Sequence, residues 1–113
     1  MPEMSQSERD QLLAEVHVAV LSVARLDGSP LAIPLWYEYR DGTFLMDTDT
    51  ETLHARLLRA RGRATLTVQD EHPPYRYVSA EGFIATARPL YQPNAETLVL
   101  TLDRIRAAQF PSG

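Results

Sequence analysis

Residues 16–48 read VHVAVLSVARLDGSPLAIPLWYEYRDGTFLMDT, and the punctuation inside that run decides the fold. LDGSP and RDGT, around Asp27-Gly28 and Asp41-Gly42, are turn signals, because Asp and Gly reach the positive φ that tight antiparallel turns need. Three meandering strands are therefore predicted, at about 17–25, 31–39 and 43–47. In the first, Val16, Val18, Val20 and Ser22 face one way, and His17, Ala19, Leu21 and Val23 face the other. Apolar residues on both faces mean a strand covered on two sides, as in a closed or dimerised barrel.

Upstream, SQSERDQLLAEV places Ser5 and Glu8 at capping-box spacing ahead of Leu12, Leu13 and Val16, which predicts a short helix within residues 1–15. Downstream, TETLHARLLRARG predicts a helix over 50–61, with Leu53, Leu57 and Ala60 as its apolar stripe and Gly62 as its stop. RATLTVQD reads as a fourth strand, EHPPYR as a loop, and Tyr77 to Arg88 as a long fifth strand. Gly82 in the middle of that strand marks a bulge or a sharp bend. YQPNAE reads as a loop, TLVLTL as a sixth strand and DRIRAAQF as a final turn. Runs of consecutive strands on either side of one helix argue against a doubly wound parallel sheet. They point to a six-stranded antiparallel barrel with two short helices at its openings.

The chain has 113 residues, 44% of them apolar, enough for one core and one domain over 1–113. A net charge of −4 and a pI near 5.3 argue against nucleic acid as a partner. All 11 basic residues are Arg, and they form no patch larger than the stretch around Arg56, Arg59, Arg61 and Arg63. With no Cys there is neither disulfide nor thiolate chemistry. His17, His54 and His72 lack metal-ligand spacing, so no metal site is expected. The polar, acidic start is unlike a signal peptide. The longest apolar stretch, Val16 to Ala24, is about half a membrane span, so no membrane role and a cytoplasmic location are expected.

The order of these pieces resembles the pyridoxamine 5'-phosphate oxidase-like family, the split β-barrels that bind FMN or the deazaflavin F420. VAVLSVARLDGSPLAIPLWYEY is similar to the family's first hairpin, whose second strand carries a Val/Ile-Pro-hydrophobic-Trp segment, here Ile33-Pro34-Leu35-Trp36. FLMDTDTETLHARLLRARGRATLTV resembles its third strand, phosphate-side helix and fourth strand. DEHPPYRYVSAEGFIATA resembles its fifth strand with the preceding loop, and TLVLTLDRIRAAQF its closing strand and tail. The resemblance spans roughly residues 12 to 110. It implies a homodimer with the cofactor ring in a groove between subunits, and an oxidoreductase acting on a small organic molecule. Pro34 and Trp36 would line the ring groove, while Thr48, Thr52, His54 and Arg76 would hold the cofactor's anionic side. Pro74-Tyr75-Arg76 resembles the branch that often uses F420. Catalytic residues are not indicated.

The stretch 47–54, DTDTETLH, departs from that pattern. The family's Ser-Thr-like pair falls on Asp47-Thr48, and its Ser-Arg-Lys-like triplet falls on Thr52-Leu53-His54. The hydroxyls remain and the two basic side chains do not, while Asp47, Asp49 and Glu51 add negative charge. Two like charges ~5 Å apart at an effective dielectric near 20 repel by roughly 3 kcal/mol. Losing one charge-assisted contact forfeits about 1.5–3 kcal/mol more. Half of that sum would weaken phosphate binding about 100-fold. The same acids also suit a helix start, where they cap and complement the dipole. A second departure is the short crossing at 89–96, where the family places one or two helices. A cofactor-free split barrel that binds a small molecule or a protein, or does non-redox chemistry, is therefore the alternative expectation.

Overall fold

A computed structural model describes residues 4–15, 17–73, 75–87 and 95–109. Helix α1 (Gln6–Ala14) is followed by β1 (Ala19–Ala24), β2 (Pro30–Leu35), β3 (Glu38–Arg40) and β4 (Thr43–Asp49). Then come α2 (Leu53–Arg61), β5 (Arg63–Gln69), β6 (Arg76–Ala87) and β7 (Ala95–Gln109). All strands belong to one seven-stranded antiparallel sheet, in the order β2-β1-β5-β6-β7-β4-β3.

The turn chemistry is as read from the sequence. Gly28 has φ 90, and Arg25 N–H closes the first hairpin onto Ser29 O at 2.8 Å. Asp41 and Gly42 both take positive φ between β3 and β4, as a tight hairpin requires. Ser5 and Glu8 form the capping box of α1, and the β6–β7 register shifts at Glu81/Gly82, where the extra residue is Asp103 of β7 rather than one in β6.

The strand count differs from expectation, with seven strands in place of six. The segment expected as one strand over 31–39 breaks at Trp36-Tyr37, because its halves pair with different neighbours: β2 with β1, and β3 with β4. These halves are the two outer strands of the sheet. Laid flat, seven strands at 4.8 Å spacing would put those edges roughly 29 Å apart. Leu35 and Glu38 are three residues apart in the chain, so their Cα atoms lie within roughly 11 Å. The sheet therefore curls until its edges nearly meet, without a hydrogen-bonded ladder between them. DRIRAAQF is not a turn but the second half of β7. The 12-residue β6 offers it a full-length partner as far as Arg76↔Gln109.

The curled sheet encloses Leu21, Phe44, Met46, Leu66, Val68, Val78, Leu98 and Leu100, all fully buried. Helix α1 covers one opening with Leu12 and Leu13. Its position is held by Tyr37, whose hydroxyl donates to Leu13 O at 3.1 Å, and by Tyr39, whose hydroxyl donates to Asp10 at 2.9 Å. Helix α2 buries Ala55, Leu57 and Leu58 rather than the expected Leu53, Leu57 and Ala60. Leu53 is the first helical residue and lies outside the packed turn, half-exposed. On β1, Ala19, Leu21 and Val23 enter the core, while Val20, and Val18 just before the strand, are 43% and 41% exposed. Among the described residues no helix is long and apolar enough to cross a membrane.

Candidate functional site

The stretch 47–54 spans the end of β4, a tight connection and the start of α2. Asp49 folds the connection, accepting from Glu51 N–H at 2.9 Å through Oδ1 and from the Thr52 hydroxyl at 2.9 Å through its carbonyl. Thr52 is the N-cap of α2, its Oγ1 accepting from Ala55 N–H at 3.3 Å. The helix thus begins at Leu53 rather than at residue 50, with no acid in its first turn. The expected acidic cap is replaced by a threonine. Asp47 points instead across to β7, where it accepts from the buried Thr97 hydroxyl at 2.6 Å.

This local fold gathers three of the expected site residues. His54 Nε2 lies 2.6 Å from Thr48 Oγ1 and 3.3 Å from Thr52 Oγ1. The Thr52 proton already goes to Asp49 O, so towards His54 that hydroxyl can only accept. Burial lowers the His54 pKa below its ordinary value, so the ring is neutral near pH 7 and adds no positive charge. Positive charge comes from residues to which the sequence reading gave no role at the site. Arg56 donates to Glu51 O and Arg59 to Thr50 O, each at 3.0 Å, which draws two guanidinium groups back over the connection. Their signal was spacing: positions four and seven residues after Thr52 return to the N-terminal turn of a helix.

Arg76 is elsewhere. It opens β6, whereas Asp47 pairs through Thr97 with Ala87 at the other end of that 12-residue strand, roughly 35 Å away if straight. Within one chain Arg76 cannot share an anion with Thr48 or His54. Its guanidinium is taken by Asp70 and by Glu15, the latter at 3.1 Å. These bonds hold Asp70 below the usual carboxylate range and raise Arg76 further.

Pro34 and Trp36 lie on a third surface. Pro34 is exposed on the outer face of β2, opposite Val20, and the same rung continues through Thr67 to Ser79. Trp36, 65% exposed, stands where β2 gives way to β3 and lines a cavity of about 360 Å³ with Glu15, His17, Tyr37 and Glu38. Most of the crossing expected at 89–96 falls in residues 88–94, outside the described residues.

No protein-family model matches the chain, and no curated protein matches it. Solved structures do. A FAD-binding protein from Mesorhizobium loti superposes with a TM-score of 0.85 at 16% identity, over 97% of this chain and 98% of the other. An F420 reductase gives 0.75 at 19% identity, over 93% and 98%. A candidate pyridoxamine 5'-phosphate oxidase from Listeria innocua gives 0.79 at 13% identity, over 89% and 95%. The chain therefore has the split-barrel fold of the pyridoxamine 5'-phosphate oxidase-like proteins. At these identities the likeness extends to the fold, and the ligand has to be argued from the side chains.

Proposed function

We propose that this chain is a small homodimeric split-barrel protein that binds FMN or F420 and acts as an oxidoreductase on a small organic molecule. The observation that carries this reading is the meeting of Thr48, Thr52 and His54 at the N-terminal turn of α2. Hydroxyls, helix N–H groups and nearby cations together form the donor set that a phosphate uses. Arg56 and Arg59 supply the charge that Leu53 and neutral His54 do not, and they offset Asp49 and Glu51. The residues therefore fit a cofactor phosphate, held less tightly than by a basic triplet. Such a cofactor supplies the hydride chemistry; the protein supplies position and electrostatics. Pro34 and Trp36 would line the ring groove against a second copy. Arg76, committed to Asp70 and Glu15, is left out of the grip.

The test is the visible spectrum of freshly purified protein, followed by titration with FMN and with F420. Saturable binding of either at tens of micromolar, weakened about tenfold by Thr48→Val, is the expected result. Binding of neither removes the reading. A second reading, a cofactor-free barrel whose groove takes a small molecule or a protein partner, is favoured by one observation. The acids at 47, 49 and 51 are all retained while the expected lysine has become a neutral histidine.

A further inference from the structure

Away from the α2 start, the loop that follows β5 meets the chain just ahead of β1. The β1–β5 ladder ends at Ala19↔Val68, and two residues further along the same antiparallel register His17 comes opposite Asp70. Asp70 N–H closes the loop by donating to Arg76 O at 2.9 Å, and His72 N–H donates to Asp70 Oδ1 at 3.1 Å. Asp70, Glu71 and His72 each present one oxygen or nitrogen here, and these three atoms lie within 4.8 Å of one another. Two acids and an imidazole on a surface loop would by themselves be ordinary.

The buried imidazole of His17 is not. Its side chain is 8% exposed. Its Nε2 lies 2.9 Å from Glu15, and a carboxylate can only accept, so the ring proton there sits on Nε2. In the neutral ring Nδ1 then carries a lone pair, and it faces the Glu71 carboxylate at 3.8 Å. Among the described residues Nδ1 has no hydrogen-bond partner, and Glu71 meets nothing but His17. The second imidazole repeats the arrangement, with His72 Nδ1 3.6 Å from Asp70 Oδ1. Both gaps are too long for hydrogen bonds. Ligand atoms bonded to a tetrahedral cation at about 2.1 Å lie about 3.4 Å apart, close to both separations. Charge points the same way, since Glu15, Asp70 and Glu71 stand against one guanidinium, that of Arg76. Glu15 holds the His17 ring from behind, as outer carboxylates hold metal-binding histidines.

We propose that His17, Asp70, Glu71 and His72 form a binding site for a divalent first-row transition cation. Mixed imidazole and carboxylate donors select Zn²⁺ or Co²⁺ over Mg²⁺. Glu71 and His72, 63% and 86% exposed, are the side chains that move to close the site, and their exposure provides the entry path. The histidines are far apart in the sequence and reach the same loop only through the β1–β5 register, so their spacing carries no metal signature. The proposal does not rest on flavin binding, because the loop lies at the Arg76 end of β6 and the Thr48–His54 cluster at the other.

The probes are Co²⁺ and Zn²⁺, added to the full chain without an affinity tag after treatment with EDTA and desalting. Co²⁺ should bind with a dissociation constant of about 10 μM or tighter and develop visible absorption that Zn²⁺ abolishes, while Mg²⁺ in large excess leaves it unchanged. In NMR, Zn²⁺ should shift the ring signals of both His17 and His72 and leave those of His54 in place. His72→Ala, at an exposed loop position, should weaken Co²⁺ about tenfold or more without unfolding the chain, and His17→Gln should do the same where it folds. Absence of the Co²⁺ absorption, equal competition by Mg²⁺, or unchanged affinity in His72→Ala would each overturn the proposal. So would Zn²⁺ shifts confined to His72, which would leave only an exposed loop and return His17 to an ion pair with its two glutamates.

Discussion

The neutral imidazole of His54 is the residue on which the phosphate grip turns. Half-buried against two threonine hydroxyls, it carries no charge where a split barrel with a strong grip would have a lysine. His54→Lys combined with Asp47→Asn should raise FMN affinity about 10- to 100-fold in a direct titration, the worth of one charge-assisted contact plus relief of repulsion. Asn is the right partner change because Asp47 accepts the buried Thr97 hydroxyl, which Asn can still do. No gain would mean that the groove itself no longer fits the ring. Arg76 teaches the opposite lesson. The sequence showed a cation on a stiff loop, but one of its partners, Glu15, is 61 positions away, and no local pattern reports such a pair. Arg76→Ala leaves Asp70, 7% exposed, without its counter-charge and should cost about 2–3 kcal/mol, or roughly 10 °C in Tm. Asp70 is depressed by its bonds to Arg76 and to His72 N–H, so its stabilisation is present above the ordinary carboxylate range and lost as pH falls through the folded value. Urea unfolding should therefore show the full Arg76→Ala penalty at pH 7 and a penalty that shrinks as pH falls below the ordinary carboxylate range; a penalty independent of pH would point to packing alone.

At the scale of elements, what is local in the physics was legible and what is long-range was not. Turns at Asp27-Gly28 and Asp41-Gly42, the α1 capping box and the Gly62 stop each follow from a few neighbouring residues, whereas the irregularity at Gly82 has its extra residue, Asp103, on the partner strand β7. The break at Trp36-Tyr37 and the run of β7 to Gln109 follow from which strand lies alongside, so the alternation of a single segment could not show them. Gly62 ends α2 at φ 72 with open space around its missing side chain. Gly62→Ala should thus cost only the conformational penalty, about 1 kcal/mol by chemical denaturation; a loss several times larger would mean a clash. Helix α1 depends on two tyrosines. Burial, with help from the Glu15 charge, pushes Tyr37 up to about 12. Because the folded pKa is raised, the stability this group contributes is complete below pH 10 and lost as pH rises towards 12. Tyr37→Phe should remove that alkaline step and cost about 1 kcal/mol through the orphaned Leu13 carbonyl. Amide exchange over residues 6–14 should quicken with it; unchanged exchange would mean that Leu12 and Leu13 alone hold the helix.

For the whole molecule, the open question is what covers the outer face of β2, β1 and β5. One rung there reads Pro34, Val20, Thr67 and Ser79, and its first charge comes only at Arg106 on β7. Val18, Val20 and Trp36 are 41%, 43% and 65% exposed on the single chain. A sheet face destined for water carries polar residues at such positions, while the inner face of β1 already supplies Ala19, Leu21 and Val23 to the core. The sequence pattern of β1, apolar on both sides, was readable. What it could not say was that, among the described residues, nothing buries Val18, Val20 or Trp36 on that face. A second copy, related by a two-fold axis so that the same patch meets itself, is the cover we propose. Val20→Asp tests it, because the side chain is half outside the core and the change should leave the monomer folded. By sedimentation, wild type should run as a dimer and Val20→Asp as a monomer with an unaltered far-ultraviolet spectrum. Flavin binding should fall in the same variant, since Pro34 and Trp36 would then line no groove. A variant that stays dimeric would place the contact on another surface. One that becomes monomeric yet binds flavin as before would separate the cofactor site from the dimer and return the ring to the Thr48–His54 end alone.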